Sequence, residues 1–432
     1  MIHIILTWLL WVGATFPATA ALPQNYLLTT GSVISTVDTG ITGLAANTKA
    51  FGSGTSSGVD NTDTTFIRTS GLTKNIKVTI DSTAGATAHN IDWTISRVFF
   101  DGQAPSIGMW LHFPVAANVS GCTIMLTADN YTSYFQVNLT GIQAKRDGWN
   151  FFHAHKDDFT VGGGSPSWSS TMTKMRLQCA GTAATIATIY IDQNYSGYYA
   201  RPHVVFTFDD NEATIFTVGQ PILDAKGWKA TLFSQGQRID ANGYGTLAQH
   251  QSWRAAGHEI YNHTQTHVDL TGVSAQAAAD EIDAGYATIS ALGLVTSGAK
   301  HFAYPYGNFN DTVKTLLRDR GYQSARAVGG LAFTPYITVK GYEFDEFQVE
   351  AADLNSGVSL AQAKAEVDQA IKYGGTIIFL IHAFVVSSPG ASSWQTSDFQ
   401  ALCDYIQVRE PQLTVLKYGE WFAGHTTPRR VR

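Results

Sequence analysis

The residues able to do chemistry gather in the second half of the chain. Phe206-Thr207-Phe208-Asp209-Asp210 ends an apolar run in two adjacent carboxylates. Neighbours on an extended segment point to opposite sides, so one acid can hold a metal while the other handles a proton. An Asp-Asp pair alone is more often a solvated turn or a helix N-cap. His263-Thr264-Gln265-Thr266-His267 places histidines at i and i+4. On a helical turn such a pair faces one way and can share a metal ion; the bland alternative is two surface histidines. His382 closes the very apolar run Thr376-Ile377-Ile378-Phe379-Leu380-Ile381, either as a proton-transfer group or as a satisfied core histidine. Phe302-Ala303-Tyr304-Pro305-Tyr306-Gly307 is a fourth strand end running into a turn.

Taken in order, these four clusters resemble the polysaccharide deacetylase pattern, also called the NodB-homology group or carbohydrate esterase family 4. The carriers are Thr-Phe-Asp-Asp, His-Thr-x-x-His, Pro-Tyr-Gly and Leu-x-His, with Ala230-Thr231-Leu232-Phe233 and Gly257-His258-Glu259-Ile260 in support. The resemblance covers residues 201–425. It implies that Asp210, His263 and His267 bind a divalent metal, usually Zn2+. It makes Asp209 the general base, His382 the general acid, and the Tyr306 backbone N–H an oxyanion donor. The implied fold is a distorted (β/α) barrel with fewer than eight regular repeats. The implied reaction is deacetylation of a polymer of N-acetylated amino sugars, of the chitin, peptidoglycan or poly-N-acetylglucosamine type. Amide hydrolysis needs activated water, a stabilised oxyanion and an acid for the leaving amine, and this residue set can supply all three. Two competing readings are a glycan-binding protein whose barrel has lost activity, and a related hydrolase of small amides or O-acetyl esters.

Two positions depart from the family. Ala303 stands where the third motif often carries an arginine directed at the catalytic Asp. The acid that tunes the catalytic histidine has no evident counterpart, with Asp345 and Glu346 as candidates.

The elements that must position these residues follow from periodicity. From residue 201 onward strand-like runs alternate with helical ones: strands at His203–Asp209, Lys229–Phe233, His258–Tyr261, His301–Tyr304, Gln323–Val328 and Thr376–Ile381. Helices are expected at Ala213–Lys226, broken near Gly219 and Pro221, then at Thr246–Ala256, Ser274–Leu292, Asp311–Arg320 and Ser359–Lys372. This alternation favours a parallel barrel with functional groups at the C-terminal strand ends. Residues 22–198 read instead as an all-β sandwich, from short alternating runs such as Asn75–Ile80 and Ser133–Leu139 split by turn residues.

Of 432 residues 44% are hydrophobic and 14% charged, with a formal net charge of −6. The apolar share is enough for full cores, and the charge gives no electrostatic reason to expect nucleic acid or an anionic membrane. Residues 1–20 read as an export signal: a short apolar run, then Ala18-Thr19-Ala20. A secreted, extracellular or periplasmic protein is therefore expected. Of the three cysteines, Cys122 and Cys179 are either a disulfide formed after export or small core fillers. Trp110, Trp149 and Trp168 are either core or sugar-stacking platforms.

Overall fold

A computed structural model describes residues 32–36, 57–63, 65, 75–99, 106–142, 145, 147–196, 201–296, 298–329 and 345–425. The expected export signal, residues 1–20, lies outside the described residues. No helix among the described residues is long and apolar enough to cross a membrane.

The N-terminal part forms two antiparallel sheets. One holds strands Ser32–Thr36, Ser57–Asp63, Asn75–Asp81, Ser106–Phe113, Gly148–His155 and Ile186–Ser196. The other holds Ala88–Arg97, Val119–Thr127, Tyr134–Asn138, Thr160–Gly163 and Met172–Gly181. Alternation decides which face is inside: Ile76, Val78 and Ile80 from one sheet and Ile124 and Leu126 from the other share one buried cluster. Cys122 and Cys179 are opposite each other on neighbouring strands, both buried. They are free thiols with sulfurs 4.0 Å apart, so the core-filler reading is the one realised. Trp110 is only 3% exposed, and the Trp168 ring lies flat on Phe135 at 3.7 Å with Phe159 against its edge. Packing therefore encloses Trp110 and takes one face of the half-buried Trp168. Trp149 stands edge-on to Trp110 and His112.

The barrel strands are β1 (His203–Asp209), β2 (Thr231–Ser234), β3 (Glu259–Asn262), β4 (Lys300–Ala303), β5 (Tyr322–Gly329), β6 (Val349–Asp353), β7 (Thr376–Ile381) and β8 (Thr414–Leu416). All run parallel, in the order β2-β3-β4-β5-β6-β7-β1. Pairing of β1 with β2 closes the ring, and β8 adds to β1 outside it. The result is a closed parallel barrel of fewer than eight strands, as expected. Every residue of β1, β2, β3 and β7 is buried. That is why β1 and β7 read as near-continuous apolar runs: helices cover one face and the barrel interior the other.

The helices are α1 (Gln220–Ala225), α2 (Leu247–Ala255), α3 (Ala275–Ala291), α4 (Asp311–Asp319), α5 (Leu360–Tyr373), α6 (Thr396–Gln407) and α7 (Tyr418–His425). Thr246, Ser274 and Ser359 cap α2, α3 and α5 through their hydroxyls. The expected break in the first helix is real: residues Ile215–Gly219 form a π turn before α1 begins beside Pro221. Four of these elements were not read from the sequence: β6, α6, β8 and α7.

On β1, Val204, Phe206 and Phe208 face the helix layer, whereas Val205 belongs to the interior cluster with Ala303, Ile378 and Leu380. Asp209 shares the parity of Val205 and so emerges inside the barrel mouth. The other end is plugged by α7. There Trp421 Nε1 donates to Thr376 Oγ1 at 3.0 Å, Tyr418 N–H to Thr231 Oγ1 at 2.9 Å and Gly419 N–H to Glu259 at 2.8 Å. All three acceptors sit on the first residue of a strand.

The sheets and the barrel meet at α5. Lys372 Nζ and Tyr373 Oη donate to Asp158 at 2.6 and 3.0 Å, and His153 packs edge-on to Tyr373. Asp158→Ala removes the acceptor of both bonds. It is expected to reduce stability by about 1–3 kcal/mol, read as a lower urea midpoint; an unchanged midpoint would show that this contact carries no stability.

Candidate metal centre

Asp209 is the last residue of β1, and the chain then turns through two left-handed residues, Asp210 (φ 72) and Asn211 (φ 62). This turn separates the two acids, where alternation along a strand had been expected to do so. The Asp209 carboxylate ends 3.7 Å from His263 Nε2. Asp210 Oδ1 lies 3.8 Å from His263 Nε2 and 3.4 Å from His267 Nε2.

The His263–His267 segment is not helical, contrary to the expected i, i+4 turn. Side chains shape it instead, competing successfully with a helical ladder. Asn262 donates to Ile282 O at 2.8 Å and Tyr322 Oη at 2.7 Å, and accepts from Thr264 N–H at 3.1 Å. Thr264 Oγ1 accepts from His267 N–H at 3.0 Å, and Glu281 accepts from the N–H and hydroxyl of Thr266, both at 2.8 Å. Thr264 (φ 67) and His267 (φ 65) are both left-handed. Helix α3 lies so close that a Cβ on Gly285 would stand 2.5 Å from the Thr264 carbonyl carbon. The two imidazoles nevertheless converge, with ring centroids 4.9 Å apart.

His263 Nδ1 lies 2.8 Å from Ala303 O, an acceptor only, so that nitrogen carries the proton and Nε2 turns a lone pair toward the acids. Burial, with the His263 ring beside it, lowers the pKa of His267 to about 4 against the pull of Asp210 and Asp209. It is neutral at pH 7, as a ligand must be. Burial alone would raise the pKa of Asp210, but His263, His267, Arg238 and His382 outweigh it and hold the carboxyl below the usual range. The donor atoms of Asp210, His263 and His267 all lie within 4.8 Å of one another. Asp210 Oδ1 is buried and lacks an aligned hydrogen bond. Two imidazoles and a carboxylate are a three-ligand set that fits a divalent cation with a position left open.

Two further residues complete the mouth, and neither was identified from the sequence. Arg326, on β5, is fully buried, and its Nη2 donates to Asp209 Oδ2. Its register partner on β4 is Ala303. The arginine missing from the third motif is thus supplied one strand over, at the same level. The available signal was a lone cation inside the otherwise uncharged strand Tyr322–Gly329. The second is Asp353, the last residue of β6, whose Oδ1 lies 3.5 Å from His382 Nδ1. This corrects the expectation of Asp345 or Glu346. Asp345 pairs with Lys314 at 2.7 Å and Arg318 at 3.7 Å, and both candidates precede β6, at the end away from the mouth. Asp353 had the same signature as Asp209, an acid closing an apolar strand, but the strand itself went unread. Burial works against protonated His382, yet the Asp353 carboxylate, with Asp209 and Asp210, overcomes this and raises its pKa. Tyr306 sits between Pro305 and Gly307 in a left-handed conformation (φ 58), its ring 4.6 Å from that of His267 and 65% exposed.

All six residues singled out in the sequence therefore meet at one barrel mouth. Residues 197–325 match the family model for polysaccharide deacetylases. That stretch of the chain is similar to the polysaccharide deacetylase family. It contains Asp209, Asp210, His263, His267 and Tyr306, while Arg326, Asp353 and His382 lie beyond it. YxkH of Bacillus subtilis (strain 168), a protein named as a polysaccharide deacetylase, is 27% identical over 120 residues. The match spans 28% of this chain and 42% of that relative. Among solved structures, the Bc1960 peptidoglycan N-acetylglucosamine deacetylase is similar at 20% identity and a TM-score of 0.39, covering 54% of this chain and 92% of its own. A family 4 acetyl xylan esterase from Clostridium thermocellum, in complex with a cobalt ion, is similar at 22% identity and a TM-score of 0.36, covering 51% and 90%.

Breaking the buried pair from one side leaves an unpaired charge. Arg326→Met alone should cost about 3–5 kcal/mol of folding stability, and adding Asp209→Asn should recover much of it. Urea denaturation of the two variants checks this; a double variant less stable than the single one would refute the pairing.

Proposed function

We propose that the protein is a secreted, metal-dependent deacetylase of N-acetylated amino-sugar polymers, of the chitin, peptidoglycan or poly-N-acetylglucosamine type. The observation that carries the reading is the convergence, at one barrel mouth, of a metal-ligand triad, an arginine-paired carboxylate and a carboxylate-paired histidine. Residues 201–425 would form the catalytic domain and residues 22–198 a β-sandwich module beside it, preceded by an export signal at 1–20.

In this reading Asp210, His263 and His267 hold the cation, most simply Zn2+. Bound there, it would acidify water and polarise the acetyl oxygen. Asp209, oriented by Arg326, takes the proton of the attacking water. The Tyr306 N–H donates to the oxyanion as the carbonyl carbon becomes tetrahedral. His382, kept protonated by Asp353, gives its proton to the amide nitrogen as the carbon–nitrogen bond breaks. Acetate and a free amine result, and the base and acid have exchanged one proton through the substrate. Base and acid approach the triad from different strands, β1 and β7, so they can act on opposite sides of the scissile bond.

Acetate release from a panel of acetylated glycans, with and without chelator, tests the proposal. Asp209→Asn and His382→Ala should each lower kcat by about 10²–10⁴-fold. Activity that survives chelation would overturn the metal role. A panel without acetate release by the zinc-loaded protein would overturn the enzyme reading.

The pH profile tests the Asp353 assignment separately. Because His382 acts protonated and Asp353 raises its pKa, activity falls as pH rises through that pKa. Asp353→Asn should move the alkaline limb to lower pH; a limb that stays in place would exclude Asp353 as the partner.

A further inference from the structure

Asp210 has a third neighbour besides the two histidines. Arg238 Nη1 lies 3.1 Å from Asp210 Oδ1, the same oxygen that faces His267 at 3.4 Å and His263 at 3.8 Å. The contact is an ion pair and not an aligned hydrogen bond. Arg238 owes its position to both loops of the triad. The N–H groups of Gly236 and Gln237 donate to Thr264 O at 3.1 Å and Gln265 O at 2.9 Å. On the other side Gly245 N–H donates to Asn211 O at 2.8 Å, and Ala213 N–H to Gly243 O at 3.2 Å. Tyr244, which bridges to Glu212, lies under the guanidinium with its ring centre 4.7 Å from Cζ. The side chain is 28% exposed, at the edge of the site.

A fixed unit positive charge beside a ligand oxygen opposes a divalent cation approaching the same oxygen. We infer that Arg238 is a resident counter-cation for Asp210, competing with the metal for that carboxylate and thereby setting the affinity of the site. Before loading, the guanidinium holds the Asp210 carboxylate in place at the edge of the site. Loading then exchanges one cation for another instead of charging an empty cavity. The inference rests on the triad being the metal site of the proposed function.

The test is zinc titration of metal-free protein in competition with a chromophoric chelator, on wild type, Arg238→Gln, Arg238→Lys and Asp210→Asn. Arg238→Gln should bind zinc about tenfold more tightly, and Arg238→Lys should stay within roughly threefold of wild type because the charge is kept. Zinc affinity of Arg238→Gln equal to or weaker than wild type, with Asp210→Asn clearly weakened, would overturn this inference alone. Unchanged affinity in Asp210→Asn would overturn the metal assignment itself, and this inference with it.

Discussion

A carboxylate cannot sit charged inside a closed barrel unless something answers its charge, and the site is built around that constraint. Asp209 is 2% exposed, and its answer is Arg326, itself fully buried. The cost of dehydrating two ions is offset only by close and well-directed pairing. Closure of the barrel provides it, because both side chains point inward near the C-terminal ends of their strands. The guanidinium also lies over the Phe233 ring, 5.2 Å from its centre, so its flat face is packed as well. The charges of Asp210 and His382 are treated in the same way, each by a partner from another strand or loop.

This arrangement explains which parts of the site were legible in the sequence. Residues that close an apolar strand announce themselves, since folding asks for neither Asp209 nor His382 at those positions. Arg326 and Asp353 obey the same logic yet stayed hidden for a physical reason. A partner is defined by which strands are adjacent, and adjacency is set by the barrel order and not by distance along the chain. The strand Val349–Asp353 is short and weakly apolar, with Glu350 inside it, so its terminal acid looked like loop. The fold class was legible from the alternation of strands and helices, and the expected starts at Thr246, Ser274 and Ser359 fall on the cap residues of three helices. The histidine segment was misread because i, i+4 spacing is also compatible with a loop once Asn262, Thr264 and Glu281 take over the backbone hydrogen bonds.

The backbone at the mouth carries a recognisable burden. Asp210, Asn211, Thr264, His267 and Tyr306 all occupy the left-handed region, which only glycine enters freely. Each such residue costs on the order of 1 kcal/mol and persists only where its surroundings over-determine it. Here those surroundings are the Asn262 and Glu281 hydrogen bonds and the tight approach of α3 at Gly285. Rigidity of this kind suits a metal site, whose ligands must hold their geometry while their charges are being screened.

The placement of Arg326 opposite Ala303 bears on how such sites change over evolutionary time. Ala303 and Arg326 are in register on adjacent parallel strands, so side chains at the two positions serve the same part of the mouth. Arginine on either strand is then a solution, and arginine on both is overcrowded and over-charged. A chain could pass between the two solutions only through a sequence that leaves the buried acid unanswered or supplies it twice. Lineages should therefore settle on one strand or the other and stay there. A search that demands the arginine within the third motif would set aside chains of this kind although the charge at the mouth is the same.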